Sequence, residues 1–289
     1  MLNVSIVLYH PDWENEVLPL VSELLKAECL HRLYLVDNSE ERAEAWISEQ
    51  RTDGKVQYIF SGKNAGYGRG HNAALRESVH DGIRYHLVMN ADIIVKAEDI
   101  DQLCAFMETR PDVGQLMPRV TYPNGEIQYL CKLLPTPLDV FGRRFLPQRW
   151  NRKRNARYEL RSSGYNRPMN IPYLSGCFML LRTEAAQKAG LFDERYFMYP
   201  EDIDLTRTIH RHYVTLYYPE VTIVHNHKKG SYHSMSLLWV HIVNMCRYFN
   251  KWGWFFDKER REVNRTTLSS TGKPDSLHTQ AACKPRATI

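Results

Sequence analysis

The chain has 289 residues, enough for one large domain or two small ones of about 100–200 residues each. An apolar fraction of 43% with 25% charged residues excludes a disordered chain, a collagen-like repeat and a coiled coil. Net charge is +5 with histidine neutral, and eight basic residues with one acid fall between Arg143 and Arg161, a stretch suited to nucleic acid, anionic lipid or a phosphate-bearing substrate.

In chain order, hydrophobic periodicity predicts a strand at Val4–Tyr9 and a helix from Trp13 to Ala27. A second strand, Leu33–Val36, ends at Asp37-Asn38-Ser39, and a helix through Ala43–Ile47 leads to a third strand at Val56–Phe60. A glycine-rich loop precedes a helix near His71–His80. A fourth strand, Tyr85–Met89, ends at Asn90-Ala91-Asp92, followed by a helix at Glu98–Thr109 and a strand at Gly114–Met117. Strands alternating with helices predict an α/β fold with a mostly parallel sheet, whose ligands bind beyond the carboxyl ends of the strands. From Tyr122 to Pro172 the pattern reads as a hairpin-like excursion and a mobile basic insertion. Order resumes with a strand at Tyr173–Leu181, helices at Glu184–Ala189 and Glu201–His210, strands at Val214–Tyr218 and Thr222–His225, and an amphipathic helix at Ser236–Phe249. The tail after Thr266 reads as frayed or disordered.

No apolar run reaches the roughly 18–20 residues that span a bilayer. The opening Met1-Leu2-Asn3-Val4 has no basic lead, so no signal peptide is expected. Six scattered cysteines without a CxxC pair fit a reducing cytosol, with neither a disulfide framework nor a zinc–cysteine site expected.

Three clusters can do chemistry. Asp92, beside Asn90 at a strand end, suits a hard divalent cation, with an ordinary turn aspartate as the competing reading. Glu201, Asp202 and Asp204 crowd one helical turn; they either cap the helix or raise one another's pKa toward general-base work. His225 and His227 follow a strand and are either metal ligands or solvated histidines. The loop Gly62–Asn72 lacks the GxxxxGK[ST] pattern and the full GxGxxG form, which weakens a P-loop or dinucleotide reading. Its glycines still allow close approach to a nucleotide. The basic stretch lacks a recognition helix, zinc motif or stacking sheet, so no nucleic acid is expected as partner.

Taken together, Val36-Asp37-Asn38-Ser39, the segment Asn64–Ala74, Asn90-Ala91-Asp92, Ser175-Gly176-Cys177, the run Gly190–Leu205 and Val224-His225-Asn226-His227 resemble the inverting nucleotide-sugar transferases of glycosyltransferase family 2. Within that family the pattern looks most like bacterial rhamnosyltransferase-type enzymes of O-antigen, capsule and related surface polysaccharides. The resemblance implies a single GT-A domain over residues 1–265. Residues 1–120 form its nucleotide-sugar half, 121–172 the basic insertion, 173–232 the acceptor half and 233–265 a C-terminal helical region, before a disordered tail at 266–289. It implies donor contacts from Tyr9, Asp37, Asn38, Asn64, Gly66, Asn72, Asn90 and Asp92. It also implies Mg²⁺ or Mn²⁺ held by Asp92 with His225 or His227, and Asp202 as catalytic base beside Glu201. Acceptor contacts would come from Ser175, Gly176, Tyr199, Glu201 and Asp204. The donor implied is dTDP-L-rhamnose, with a UDP-hexose or UDP-HexNAc as alternative. The acceptor implied is a saccharide, commonly on a polyprenyl diphosphate. A sugar-1-phosphate nucleotidyltransferase and a non-catalytic sugar-binding protein are the competing classes.

The rings around Trp239, Trp252 and Trp254, next to Arg247, Lys251 and Lys258, further suggest peripheral contact with an anionic membrane at the cytoplasmic face. Internal packing or a homodimer contact is the other use of that surface.

Overall fold

The computed structural model describes residues 1–43, 54–145, 147–226 and 235–272. The predicted helix at Ala43–Ile47 lies almost wholly outside them, and His227 lies outside them entirely. The first strands are β1 (Leu2–Leu8), β2 (Leu30–Asp37), β3 (Val56–Phe60) and β4 (Tyr85–Met89). They pair in parallel in the order β3-β2-β1-β4. Every residue of β4 is buried, as expected for a strand covered on both faces. Helices α1 (Leu18–Leu24) and α2 (Tyr67–His80) are the described crossover helices of this half.

The sheet continues through β10 (Phe178–Arg182), β6 (Val113–Thr121), β11 (Val214–His225) and β5 (Ile93–Ile94). β10 runs antiparallel to both β4 and β6, whereas β11 is parallel to β6. The sheet is therefore mostly parallel with antiparallel insertions. Because β10 is reversed, its leading loop arrives at the same edge as the carboxyl end of β4, and the Asn90 N–H donates to Cys177 O at 3.0 Å. Helix α3 (Ala97–Thr109) follows β5.

Three expectations are corrected. The run Tyr173–Leu181 is two strands: β9 (Tyr173–Leu174) pairs with β7 (Cys131–Lys132) in a separate ribbon, and the chain turns at Ser175–Cys177 before β10. Val214–His225 is one strand with an irregularity after Tyr218, where Pro219 lacks a ladder donor. The described part of the basic insertion is helical: after the turn at Tyr122–Glu126 come α4 (Pro137–Phe145) and α5 (Gln148–Tyr158). Asn151 is buried and its Nδ2 donates to Gly142 O at 2.7 Å, which fixes α5 on α4. A short strand, β8 (Met169–Asn170), joins β11.

Helix α6 (Thr183–Ala189) is ended by Gly190 at φ +89°. Helix α7 (Glu201–His210) carries the acidic cluster. Two helices end the described residues, α8 (Met235–Trp252) and α9 (Lys258–Thr271); α9 extends past Thr266, where fraying was expected, and the rest of the expected tail, 273–289, lies outside the described residues. Asp257 starts α9 by accepting from Arg260 N. Among the described residues, no helix is long and apolar enough to cross a membrane.

Candidate active site

A cavity of about 1310 Å³ opens over the carboxyl ends of β1 and β4. One corner is made by Asp92 and His225. β5 pairs with the end of β11 so that His225 lies opposite Ile93, and the Asn226 N–H donates to Asp92 O at 2.9 Å. This register brings His225 Nε2 to 3.2 Å from Asp92 Oδ1. The other ring nitrogen, Nδ1, meets Gln128 Oε1 at 2.9 Å, while Gln128 Nε2 donates to His225 O at 2.9 Å. A carbonyl only accepts, so the amide orientation is fixed. Oε1 must face Nδ1, Nδ1 carries the proton, and Nε2 is the nitrogen turned to Asp92. Burial would lower the His225 pKa, but hydrogen bonding to Asp92 and Cys177 raises it to about 10, so with no cation bound Nε2 also carries a proton turned to Asp92, and a cation at this corner would take that proton's place.

Chemically the corner is a hard carboxylate oxygen plus a borderline imidazole nitrogen, a donor set suited to Mn²⁺ or Mg²⁺. Among the described residues no group of three His, Cys, Asp or Glu gathers around a cation position. A cation here would therefore complete its shell with phosphate oxygens or water.

The second feature is the carboxylate pair on α7. Glu201 and Asp202 are buried, 4% and 8% exposed, and both line the cavity. Asp202 Oδ2 accepts from Gly176 N at 2.8 Å and Oδ1 from Ile203 N at 2.8 Å. A Cβ on residue 176 would lie 3.1 Å from Asp202 Cβ, so glycine is what lets the loop approach this closely. Burial raises both acids above the ordinary carboxylate range, and Asp202 adds like-charge repulsion to Glu201. The Gly176 N–H and the Lys132 charge hold Asp202 below its neighbour. Just before the pair, Tyr199 has φ +95°, a strained conformation for a bulky residue, and it lines the cavity with Ser175.

Tyr67 joins the two features. Its hydroxyl reaches Gly176 O at 2.7 Å and Asn90 Oδ1 at 3.1 Å, tying the end of β4 to the loop that holds Asp202. Tyr67, Gln128 and Lys132 were missed as functional candidates in the sequence. Tyr67 sits in a glycine run that drew attention to its neighbours, and the other two lie in a segment without a motif.

Of the expected nucleotide contacts, Tyr9, Asn90 and Asp92 line the cavity. The others are engaged inside the protein. Asp37 accepts from the Tyr58 hydroxyl at 2.6 Å and Ser39 N at 2.9 Å, and Asn38 donates to Gly66 O at 3.2 Å. Asn64 accepts from Gly66 N, and Asn72 clamps Phe192 through its backbone N–H and carbonyl. The glycines are also required by packing. A Cβ on Gly66, Gly68 or Gly70 would meet Phe197 O at 2.5 Å, Phe192 Cβ at 2.9 Å or Val7 Cγ2 at 2.7 Å. Asp204, expected at the acceptor, instead accepts from Lys251 Nζ at 2.7 Å and Trp252 Nε1 at 2.6 Å. Its place on α7 turns it away from the cavity and toward α8.

The expected membrane surface is divided. Trp252 is spent on Asp204, and Trp254 packs against Phe249. Arg247 and Lys251 bond to the loop around Asp193 and Arg195. Trp239, Phe255 and Phe256 remain exposed.

An N-acetylglucosaminyl-diphospho-decaprenol L-rhamnosyltransferase of Mycobacterium tuberculosis is 29% identical over 242 residues, covering 80% of this chain and 77% of the relative. The structure of GalNAc-T7 with UDP, GalNAc and Mn²⁺ matches with a TM-score of 0.58 at 15% identity, over 78% of this chain, which spans only 43% of that protein. The structure of Staphylococcus aureus TarS 1-349 with UDP-GlcNAc matches with a TM-score of 0.58 at 13% identity, over 92% of this chain and 71% of that one. These structural likenesses speak to the GT-A fold alone. The family model described as "Glycosyl transferase family 2" matches residues 6–190, from β1 through α6, including Asp92 and Gly176. That is more than half of the chain, and the chain therefore belongs to glycosyl transferase family 2.

Proposed function

We propose that the chain is an inverting transferase that moves L-rhamnose from dTDP-L-rhamnose to a hydroxyl of a saccharide carried on a polyprenyl diphosphate. The observation that carries this reading is the meeting of the Asp92–His225 corner and the Glu201–Asp202 pair in one cavity. The donor sugar and acceptor class follow the similarity to the mycobacterial rhamnosyltransferase. A divalent cation, Mg²⁺ or Mn²⁺, held by Asp92 and His225 Nε2 would supply charge stabilisation to the departing diphosphate.

The chain's own groups do the rest. Asp202 takes the proton of the acceptor hydroxyl as its oxygen attacks the anomeric carbon, and the bond from that carbon to the diphosphate oxygen breaks. One displacement inverts the centre and needs no enzyme nucleophile. Asp202 suits the base because burial raises its pKa to about 6, so it is ionised yet basic at neutral pH. Burial and the neighbouring Asp202 charge raise Glu201 further, which favours its protonated form, a hydrogen-bond donor to the acceptor. Asn90, fixed by Tyr67, orients the donor beside Asp92. Exposed Leu138, Trp150, Met235, Trp239, Phe255 and Phe256 support peripheral contact with a membrane bearing the acceptor, at its cytoplasmic face.

A donor panel scored by nucleoside diphosphate release with a lipid-linked saccharide acceptor tests the reading. Turnover is expected with dTDP-L-rhamnose; selective turnover of UDP-GlcNAc or a UDP-hexose overturns the donor assignment. Asp202→Asn is expected to lower transfer by roughly 10²–10⁴-fold while donor binding persists. Near-normal turnover would move the base to Glu201.

A further inference from the structure

The cavity has a wall that the reaction above leaves unused. It is built by Lys132 on β7, Arg149 and Arg152 on α5, and Arg161 just beyond that helix. Arg149 and Arg152 are three residues apart and share a helix face. That face is set by the neighbouring one. Asn151 bonds to Gly142, and the Arg154 guanidinium lies 3.6 Å from Asp139, so α5 is held on α4 with 149 and 152 at the cavity. Arg154 is thus neutralised inside the insertion, whereas Arg149 and Arg152 are exposed and have no acidic partner among the described residues. Arg161 is fixed in place and its charge is offset by Glu159: its Nε and Nη2 donate to Glu159 Oε2 at 2.8 and 2.6 Å, and its guanidinium lies 4.5 Å from the Tyr129 ring centroid, so it offers the wall its remaining N–H donors rather than a free charge.

Of the five acids that line the cavity, Asp139 accepts from the Thr136 hydroxyl at 2.6 Å and lies 3.6 Å from Arg154; Asp92, Glu201 and Asp202 belong to the reacting end; and Glu16 stands in the segment after β1. Lys132 links the wall to that end, since its charge acts on Asp202. An anion on the wall therefore lies close to the point where an acceptor hydroxyl would meet the base. Val140, Leu237, Leu238 and Met245 line the same cavity and give it an apolar portion. The cavity thus combines a candidate base, cations and apolar surface. Its complement is a molecule that carries a sugar hydroxyl, a phosphoryl group and a hydrocarbon tail.

We propose that Lys132, Arg149, Arg152 and Arg161 form a second anion subsite that grips the phosphoryl group of the acceptor, apart from the donor's diphosphate at Asp92 and His225. The proposal rests on the acceptor class inferred above and assigns the residues that read it. Guanidinium groups suit the task because they present forked donors to phosphate oxygens and stay charged at all working pH.

The test uses the full chain, dTDP-L-rhamnose and two synthetic acceptors with the same sugar and the same alkyl tail. One is joined through a diphosphate, the other through a neutral glycosidic oxygen. The unchanged protein is expected to prefer the diphosphate acceptor. Arg149→Gln with Arg152→Gln is expected to reduce that preference roughly 10- to 100-fold, the worth of charge-assisted hydrogen bonds, through acceptor KM and with donor KM unmoved. Equal losses on both acceptors, or none on either, overturn the subsite while leaving the transferase reading intact. No transfer by the unchanged protein to either acceptor, with donor hydrolysis intact, overturns the acceptor class and the subsite with it. Flotation with anionic and neutral phospholipid vesicles separates the remaining source of phosphate. If the double variant loses binding to anionic vesicles but keeps its acceptor preference, the arginines meet lipid headgroups and the subsite is overturned.

Discussion

Gln128 decides which nitrogen of His225 is available, and it does so by a hydrogen-bond argument that needs no bound cation. Its amide donates to the carbonyls of Thr121 and His225 and accepts from Nδ1, so the imidazole presents Nε2 beside Asp92. Outer partners of this kind hold a histidine in the tautomer and orientation that ligation requires. Gln128→Leu is therefore expected to weaken Mn²⁺ binding roughly 10- to 100-fold. Direct titration of Mn²⁺ by electron paramagnetic resonance, in the presence of nucleoside diphosphate, measures this apart from turnover. Unaltered affinity would mean that His225 is not a ligand.

Helix α7 carries two tasks on two faces. Its first turn puts Glu201 and Asp202 into the cavity, while Asp204, Arg207 and Arg211, spaced by three and four residues, face the C-terminal helices. Arg207 is 2% exposed and pairs with Asp257 at 2.8 Å and Glu259 at 2.7 Å; its guanidinium stacks 4.0 Å from the Trp252 ring centroid. Asp204 completes the attachment through Lys251 and Trp252. Asp204→Asn is thus expected to lower stability by roughly 1.5–3 kcal/mol, the range for hydrogen bonds to a charged group, and to change kcat/KM less than Asp202→Asn does. Urea unfolding and initial rates on the two variants separate the roles. In the sequence the three acids were equivalent members of one crowded turn. Only the position of α8 shows that the third is structural.

At the scale of the whole molecule, the buried acid pair makes stability depend on pH. Burial raises Glu201 from 4.5 to about 8 in the folded protein. Across that interval the folded state retains a proton that the unfolded chain has released, so stability falls as pH rises. Glu201→Gln removes the Glu201 share of the dependence and leaves that of Asp202, which lies at lower pH. Its melting temperature is expected to exceed that of the unchanged protein near pH 8, with the difference closing toward pH 4, as read by calorimetry over that range. Glu259 acts in the opposite sense: its arginine partners lower it to about 2 against the upward pull of burial, so the stability it contributes is lost as pH falls below 4.5. A cavity that keeps acids buried thus carries its own destabilisation as pH rises.

The sequence by itself determined the alternation of strands and helices, the placement of Asn90–Asp92 at a strand end and the crowding of acids at the start of the helix that carries Glu201 and Asp202. Each is a local pattern, set by side-chain period or by residues adjacent in the chain. Tertiary structure decided what depends on distant segments meeting. The β5–β11 register brings His225 to Asp92, and the turn after β6 returns Gln128 to the same ring. The reversal of β10 carries Gly176 to Asp202, a pairing across 26 residues of chain. The glycines of the Gly62–Asn72 loop looked like a nucleotide cradle because close approach is what glycine permits, and composition does not say what approaches. In the folded chain the approaching groups are Val7, Phe192 and the Phe197 backbone, far apart in sequence and brought together only by packing.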